Sequence, residues 1–392
     1  MSGFVYDIPT KVYFGEGVIE NNLSSEIKKY GSKVLLVYSK DTIKKIGLYD
    51  KLIKELSDNG ITVYEYSEIE PNPRHTAINE ASKICRDNDI DVVLAVGGGS
   101  VIDSSKAISA GKYYDGDIWD LVLKKSSIEK TMPLVTVLTI AASGSEMNNN
   151  AIISNKDKDV LAKKGLKSDL FWPKASFLDP TITYSVNKYQ TACGSFDILS
   201  HILETYFARN NGLDMLDKMM ESLMKTVIEC AVIAYHDPEN YEARANLMWA
   251  SSWAINGFLR MDKQPNIWVC HLLEHQLSAF YDITHGLGLA ILTPKYLRAV
   301  LNENTVDRFY RFGVNVWGID GSLPKMEVAE KSIEYLEHFI YQELELADNL
   351  SSLNIDDRNF EEMAKRICSK GPVKGFIDLD EAEIVKIFKK CL

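Results

Sequence analysis

The stretch Val92-Val93-Leu94-Ala95-Val96-Gly97-Gly98-Gly99-Ser100-Val101-Ile102-Asp103-Ser104-Ser105-Lys106 decides the fold. Its first five residues are apolar and mostly β-branched, over the length of a strand; three glycines interrupt them, and helical spacing begins at once. A strand that ends in glycines and opens a helix lets backbone N–H groups approach a phosphate at the positive end of the helix dipole. The spacing is not G-x-G-x-x-G, and the Lys-Ser or Lys-Thr of a nucleoside-triphosphate loop is missing, so neither motif applies. Tight turns also use glycine without any ligand. A second turn, Thr139-Ile140-Ala141-Ala142-Ser143-Gly144-Ser145-Glu146, follows another strand-like run with small and hydroxylic residues. Two such turns at the carboxyl edge of one sheet suit a pyrophosphate.

Around this stretch the first half alternates. Ser32–Tyr38, Ile61–Tyr66, Asp89–Val96 and Pro133–Thr139 read as strands, and Lys44–Asn59 and Thr76–Asp87 as helices between them. Strand and helix in repetition imply a parallel sheet with helices on both faces and a ligand beyond the carboxyl ends of the strands. From about Thr183 the pattern becomes helical throughout, with stretches at 214–234, 239–258, 268–280, 306–317, 326–346 and 381–390. The expected fold is α/β plus all-α: a Rossmann-like dinucleotide-binding domain over residues 1–182, then an all-helical metal-binding catalytic domain over 183–392. No linker separates them, so a cleft between the domains is expected.

Composition narrows the partners. The 392 residues carry 55 acidic against 44 basic side chains, a net charge of −11, which disfavours nucleic acid and anionic membranes. No apolar run reaches the roughly 18 residues of a membrane span, and Met1-Ser2-Gly3 leads into no signal core. Six scattered cysteines without a Cys-x-x-Cys pair fit a reducing compartment. A cytoplasmic location follows as the expectation.

Histidine supplies the chemistry. Four of seven, His201, His271, His275 and His285, lie in one span of the second half. Asp197 and His201 are four apart in helical spacing, as are His271 and His275, so each pair projects from one helix face. One carboxylate with imidazoles suits Zn or Fe(II) rather than Ca or Mg. Five groups are one more than a tetrahedral site takes, and spacing leaves open whether His271 or His275 is a ligand. His75, His236 and His338 read as surface residues, and Met215-Leu216-Asp217-Lys218-Met219-Met220 as helical core spacing.

These residues, together with Pro71-Asn72-Pro73-Arg74 and Leu178-Asp179-Pro180, resemble the iron-containing (group III) alcohol dehydrogenases, in their NAD(P)H-dependent butanol dehydrogenase branch. The resemblance covers most of the chain and implies a dehydroquinate synthase-like architecture. It implies Asp197, His201, His271 and His285 as metal ligands, and His275 as a catalytic histidine beside substrate and nicotinamide. It also implies cofactor contacts from Gly97, Gly98, Gly99, Ser100, Asp103, Thr139, Ser143 and Lys163. After the first strand, where butanol dehydrogenases carry Gly-Gly-Gly-Ser, this chain reads Ser39-Lys40-Asp41-Thr42. Lys40 suits a 2′-phosphate and tips the expectation toward NADP(H), whereas Asp41 would favour NAD(H).

The expected activity is interconversion of small aldehydes and primary alcohols with NAD(P)H and Fe(II) or Zn, the nicotinamide lying in the cleft opposite the metal. Phe258, Trp253 and Trp268 are candidates for an apolar wall, or for core. A homodimer is implied, through Val5–Pro9 and Lys11–Phe14 as exposed strands. Two rival readings are a sugar-phosphate enzyme of the same architecture, which would need more basic residues than Arg260 and Lys263 near the histidines, and a nucleotide-binding module with a closed structural metal.

Overall fold

The computed structural model describes residues 4–157, 160–208, 212–261 and 268–392. The chain forms two compact units: Asp7–Asn187 with Pro238–Asn256, and Met1–Tyr6 with Lys188–Asp237 and Gly257–Leu392.

The first unit is built on strands β1 (Lys11–Phe14), β2 (Lys33–Val37), β3 (Thr62–Tyr66), β4 (Val92–Gly97), β5 (Leu134–Leu138) and β8 (Ala175–Leu178). They form one sheet in the order β1-β8-β5-β4-β2-β3. Every neighbouring pair is parallel. Helices α1 (Val18–Ile27), α2 (Thr42–Lys45), α3 (Leu48–Asp58), α4 (His75–Asp87), α5 (Gly99–Gly111) and α6 (Ile118–Val122) connect them. Alternation along the strands sorts the core. Leu35, Val37, Val93 and Ala95 pack with Ile78 of α4 and Ile102 of α5, while Val34, Leu36, Val92 and Leu94 pack with Leu23 of α1 and Leu52 of α3. The expected 44–59 helix is broken at Gly47, whose φ of 71° marks the end of α2.

Two features of this unit differ from the sequence expectation. An antiparallel hairpin, β6 (Asn150–Asn155) and β7 (Ala162–Lys167), was not read from the sequence, because Ala-Lys-Lys-Gly-Leu-Lys lacks a strand's apolar alternation. The helix α9 (Tyr241–Ile255) belongs to this unit, although it follows two helices of the other. Gly144 explains the attachment: at φ 60°, a Cβ there would lie 2.4 Å from the carbonyl oxygen of Ser251 in α9.

The second unit consists of α7 (Lys188–Tyr206), α8 (Asp214–His236), α10 (Val269–Tyr281), α11 (His285–Val300), α12 (Val306–Trp317), α13 (Lys325–His338), α14 (Phe360–Ile367) and α15 (Glu381–Lys390). A two-residue antiparallel pair, Val373–Lys374 with Asp378–Leu379, is a small departure from the all-helical expectation. Among the described residues, no helix is long and apolar enough to cross a membrane.

Several smaller expectations are corrected. His75 is buried rather than exposed, with Nδ1 3.0 Å from Asp117. It starts α4, where a nearby carboxylate is available for the ring. Met215 and Met219 point outward, 57% and 40% exposed, because α8 turns only the Leu216 and Met220 side inward. Lys11–Phe14 is an edge strand as read, but residues 5–9 form no strand.

Candidate active site

Two clusters hold the sequence-predicted site residues, one in each unit. In the sheet unit, the strand order reverses between β2 and β4, where ligands of such sheets bind. Ser39 and Lys40 follow β2, Gly97 ends β4 with Gly98 to Ser100 after it, and Thr139 and Ser143 follow β5, so three adjacent strands deliver them to one edge. Ser39 donates its hydroxyl to the Ile69 carbonyl at 2.7 Å. Lys40 is exposed at φ 41°, its N–H donating to the Ser67 carbonyl at 2.7 Å. Thr139 donates its N–H to the Gly97 carbonyl at 3.2 Å, tying the two turns together.

Helix α5 starts with Gly98 at its N-cap and no capping side chain. Its first N–H groups are therefore the donors that a pyrophosphate would use. The glycines are needed for contact between the turns: a Cβ on Gly98 would lie 2.5 Å from Ile140, and one on Gly99 would lie 2.4 Å from the Ser143 hydroxyl. The cradle fits a dinucleotide diphosphate in donor chemistry.

Asp103 sits differently from a ribose- or phosphate-facing group. Its oxygens accept from the Ser145 hydroxyl at 2.5 Å and the Ile152 N–H at 2.8 Å, and burial raises its pKa. Lys163, on β7, is buried and close enough to Asp103 to act on it electrostatically. Burial raises the Glu146 carboxyl as well, and the Ser252 hydroxyl of α9 donates to it at 2.5 Å.

In the helical unit, α7 carries Asp197 and His201 one turn apart, α10 carries His271 and His275, and His285 opens α11. Gly286 lets α11 come this close: a Cβ there would be 2.1 Å from the Cys193 carbonyl oxygen of α7. The imidazole Nε2 atoms of His201, His271 and His285 lie 3.6, 3.9 and 3.6 Å from Asp197 Oδ1. A tetrahedral ion bound at about 2.1 Å sets its ligands about 3.4 Å apart. Asp197 Oδ1 and His271 Nε2 are buried without hydrogen-bond partners, a costly arrangement that a cation at their centre relieves. The donor set of one carboxylate and three imidazoles fits Fe(II) or Zn.

Electrostatics differ between the rings. Burial pushes the His201 pKa down to about 3, so its ring is neutral. Burial also acts to lower His271, but the neighbouring Glu204 and Asp197 carboxylates outweigh it and raise the pKa. The His285 side chain is 28% exposed against 4–10% for the other three candidates, giving the cluster one accessible side.

Two carboxylates that sequence reasoning missed complete the cluster. Glu204 accepts from His271 Nδ1, and Glu274 accepts from His285 Nδ1. Such pairs fix the tautomer that leaves Nε2 for a metal. Part of their signal was present in the sequence: Glu204 follows His201 by three residues and Glu274 follows His271 by three, each on a helix face that carries a proposed ligand, whereas the ring each carboxylate holds lies on another helix. His275 is half-buried, its ring 6.5 Å from that of His271 and 5.9 Å from that of His285. Of the three candidate wall residues, Trp268 packs at the cluster, 5.0 Å from the His271 ring and 5.4 Å from the His201 ring. Phe258 packs on Tyr6, and Trp253 on Trp249 in the other unit. Arg260 stacks over Trp268 at 4.8 Å, and Lys263 lies outside the described residues.

A parallel-sheet unit with an anion cradle and a helical unit with a buried carboxylate–imidazole cluster are the parts of a metal- and dinucleotide-dependent enzyme. Residues 9–180 match the family described as iron-containing alcohol dehydrogenase, and residues 191–392 match the C-terminal domain of the Fe-containing alcohol dehydrogenase family. The chain is 46% identical to NADH-dependent butanol dehydrogenase A of Clostridium acetobutylicum, over 100% of both chains. It is 32% identical to the NADPH-dependent aldehyde reductase YqhD of Escherichia coli, over 95% of this chain and 94% of the relative. The crystal structure of NADH-dependent butanol dehydrogenase A from Thermotoga maritima superposes with a TM-score of 0.93 at 35% identity, covering 100% of this chain and 99% of that one. The chain belongs to the iron-containing alcohol dehydrogenase family.

Proposed function

We propose that the protein interconverts small, butanal-like aldehydes and primary alcohols, using NADH or NADPH and Fe(II) or Zn. The sheet unit serves the dinucleotide, and the helical unit holds the metal; the expected division at 182/183 is shifted by α9, which lies in the sheet unit. The observation that carries this reading is the convergence of three Nε2 atoms on Asp197 Oδ1 at 3.6–3.9 Å, with carboxylates behind two of the rings. When bound, the metal supplies Lewis-acid polarisation of the carbonyl oxygen. The nicotinamide supplies the hydride.

The side chains do the rest. Asp197, His201, His271 and His285 are the proposed ligands, and Glu204 and Glu274 keep two of the rings oriented. His275, half-buried beside His285, provides the proton that the new alcohol oxygen takes up, directly or through a water. Gly97 to Ser100, Thr139 and Ser143 line the dinucleotide cradle, and Asp103, with Lys163 near it, ties α5 to Ser145 of the second turn. At the end of β2, exposed Lys40 favours a 2′-phosphate and Asp41 opposes it; this pair governs the choice between NADPH and NADH. Arg260, stacked on Trp268, gives little support to a phosphorylated substrate.

Two further inferences belong to this reading. The protein works in the cytoplasm, in keeping with its six free cysteines. It forms a homodimer through the edge strand β1, whose Phe14 is 40% exposed.

The test is oxidation of NADH and NADPH in the presence of butanal, on protein stripped of metal and reloaded anaerobically with Fe(II) or Zn. Metal-dependent turnover is the expected result. Absence of turnover with either cofactor, despite metal bound in stoichiometric amount, would refute the reading.

A further inference from the structure

Lys106 is fully buried, in the second half of α5, outside any role assigned above. Its three N–H donors are all used: to the Ser145 hydroxyl at 2.7 Å, to Asn148 Oδ1 at 2.9 Å and to the Asn150 carbonyl at 2.7 Å. The Ser145 hydroxyl donates to Asp103, one helical turn before Lys106. Asp103 in turn accepts the N–H of Ile152 in β6. Thus the helix that opens at the glycine-rich turn is bolted, through two charged side chains, to the end of the second turn and to the hairpin behind it.

A buried ammonium loses hydration, and burial lowers the Lys106 pKa to about 8. An apolar cluster in place of Lys106, Asp103 and Ser145 together would hold α5 against β6 without that cost. What an apolar residue cannot do is set direction. Gly99 and Ser143 are so close that a sliding of one turn against the other by about 1 Å would close or splay the cradle.

We propose that Lys106 is a positioning residue for the dinucleotide: with Asp103 and Ser145 it fixes the separation of the two turns, so that the pyrophosphate meets a preformed site. This rests on the cofactor reading of those turns. A preformed cradle binds more tightly because its ordering does not have to accompany binding.

The experiment uses the full-length, metal-loaded protein. NADH and NADPH affinities are measured by fluorescence titration and steady-state kinetics for Lys106→Met, Ser145→Ala and Gly99→Val. In Lys106→Met, dissociation constant and KM for the dinucleotide rise at least tenfold. The loss in kcat at saturation is smaller and metal content stays near wild type, while the melting temperature falls because Asp103 and three acceptors lose their cation. A folded Lys106→Met with wild-type dinucleotide affinity overturns the proposal, while weakened binding in Gly99→Val shows that the cradle reading survives it. Unchanged affinity in Gly99→Val takes down both. Should Lys106→Met fail to fold, Ser145→Ala decides: a rise of threefold or more supports the clamp, and no change overturns it.

Discussion

Glu204 holds His271 twice, accepting from the ring Nδ1 with its carboxylate and, at 3.1 Å, from the backbone N–H of the same residue. Its other oxygen takes the Cys270 N–H at 2.7 Å. One buried side chain on α7 therefore caps the first turn of α10 and aims the proposed ligand that this turn carries. Ligand geometry and helix packing depend on the same carboxylate.

Glu204→Gln keeps the size of the side chain but presents an amide to the ring. Metal affinity should fall 10- to 100-fold, read by competition with a coloured chelator. Glu274→Gln, acting on His285, should produce a loss of the same order. Wild-type affinity in both variants would show that the carboxylates do not tune the site.

His275→Ala should lower kcat for butanal reduction on the order of 100-fold while metal content stays at wild-type level. Turnover within about twofold of wild type would reduce His275 to a packing residue. Loss of metal would instead make it a ligand.

Lys40→Ala removes an exposed cation from the end of β2. The ratio of kcat/KM for NADPH to that for NADH should drop about tenfold, as expected for one charge-assisted contact to phosphate. A ratio that does not move would place the 2′-phosphate elsewhere.

Acid stability has a local source in Glu26 on α1. Burial acts to raise its pKa, but hydrogen bonds from Lys29, Tyr13 and Lys11 outweigh it and hold the carboxyl at about 2. Because the folded value lies below the unfolded one, this contribution is full above about pH 4.5 and fades as pH falls toward 2. Glu26→Gln should cost on the order of 2 kcal/mol at pH 7 and much less near pH 2, measured by urea unfolding at both values. An equal cost at both would show that the pairing is irrelevant to stability.

How far the sequence carries the fold depends on local signals. The apolar run of β4, stopped by Gly97 and followed by helical spacing, announces strand, turn and helix within one window. The Asp197/His201 and His271/His275 spacings likewise mark two helix faces. The attachment of α9 to the sheet unit is not legible, because it is set by Gly144 meeting a backbone oxygen more than a hundred residues away. Nor does the periodicity reveal the lysine-rich β7, where a lysine, Lys163, takes a buried position. Spacing leaves His271 and His275 equivalent; in three dimensions His271 has its Nε2 3.9 Å from Asp197 Oδ1 and the Glu204 carboxylate behind its ring.

The course of α9 limits how this polypeptide can be dissected. A gene fragment stopping at residue 187 would encode all six strands of the sheet yet omit the helix that covers Gly144 and supplies the serine bonded to Glu146. Such a piece would present the second turn's underside and an ionisable group to water. Limited proteolysis at the 187–188 junction should therefore leave the two products associated until denaturant is added, because one product contains a part of the other's interior.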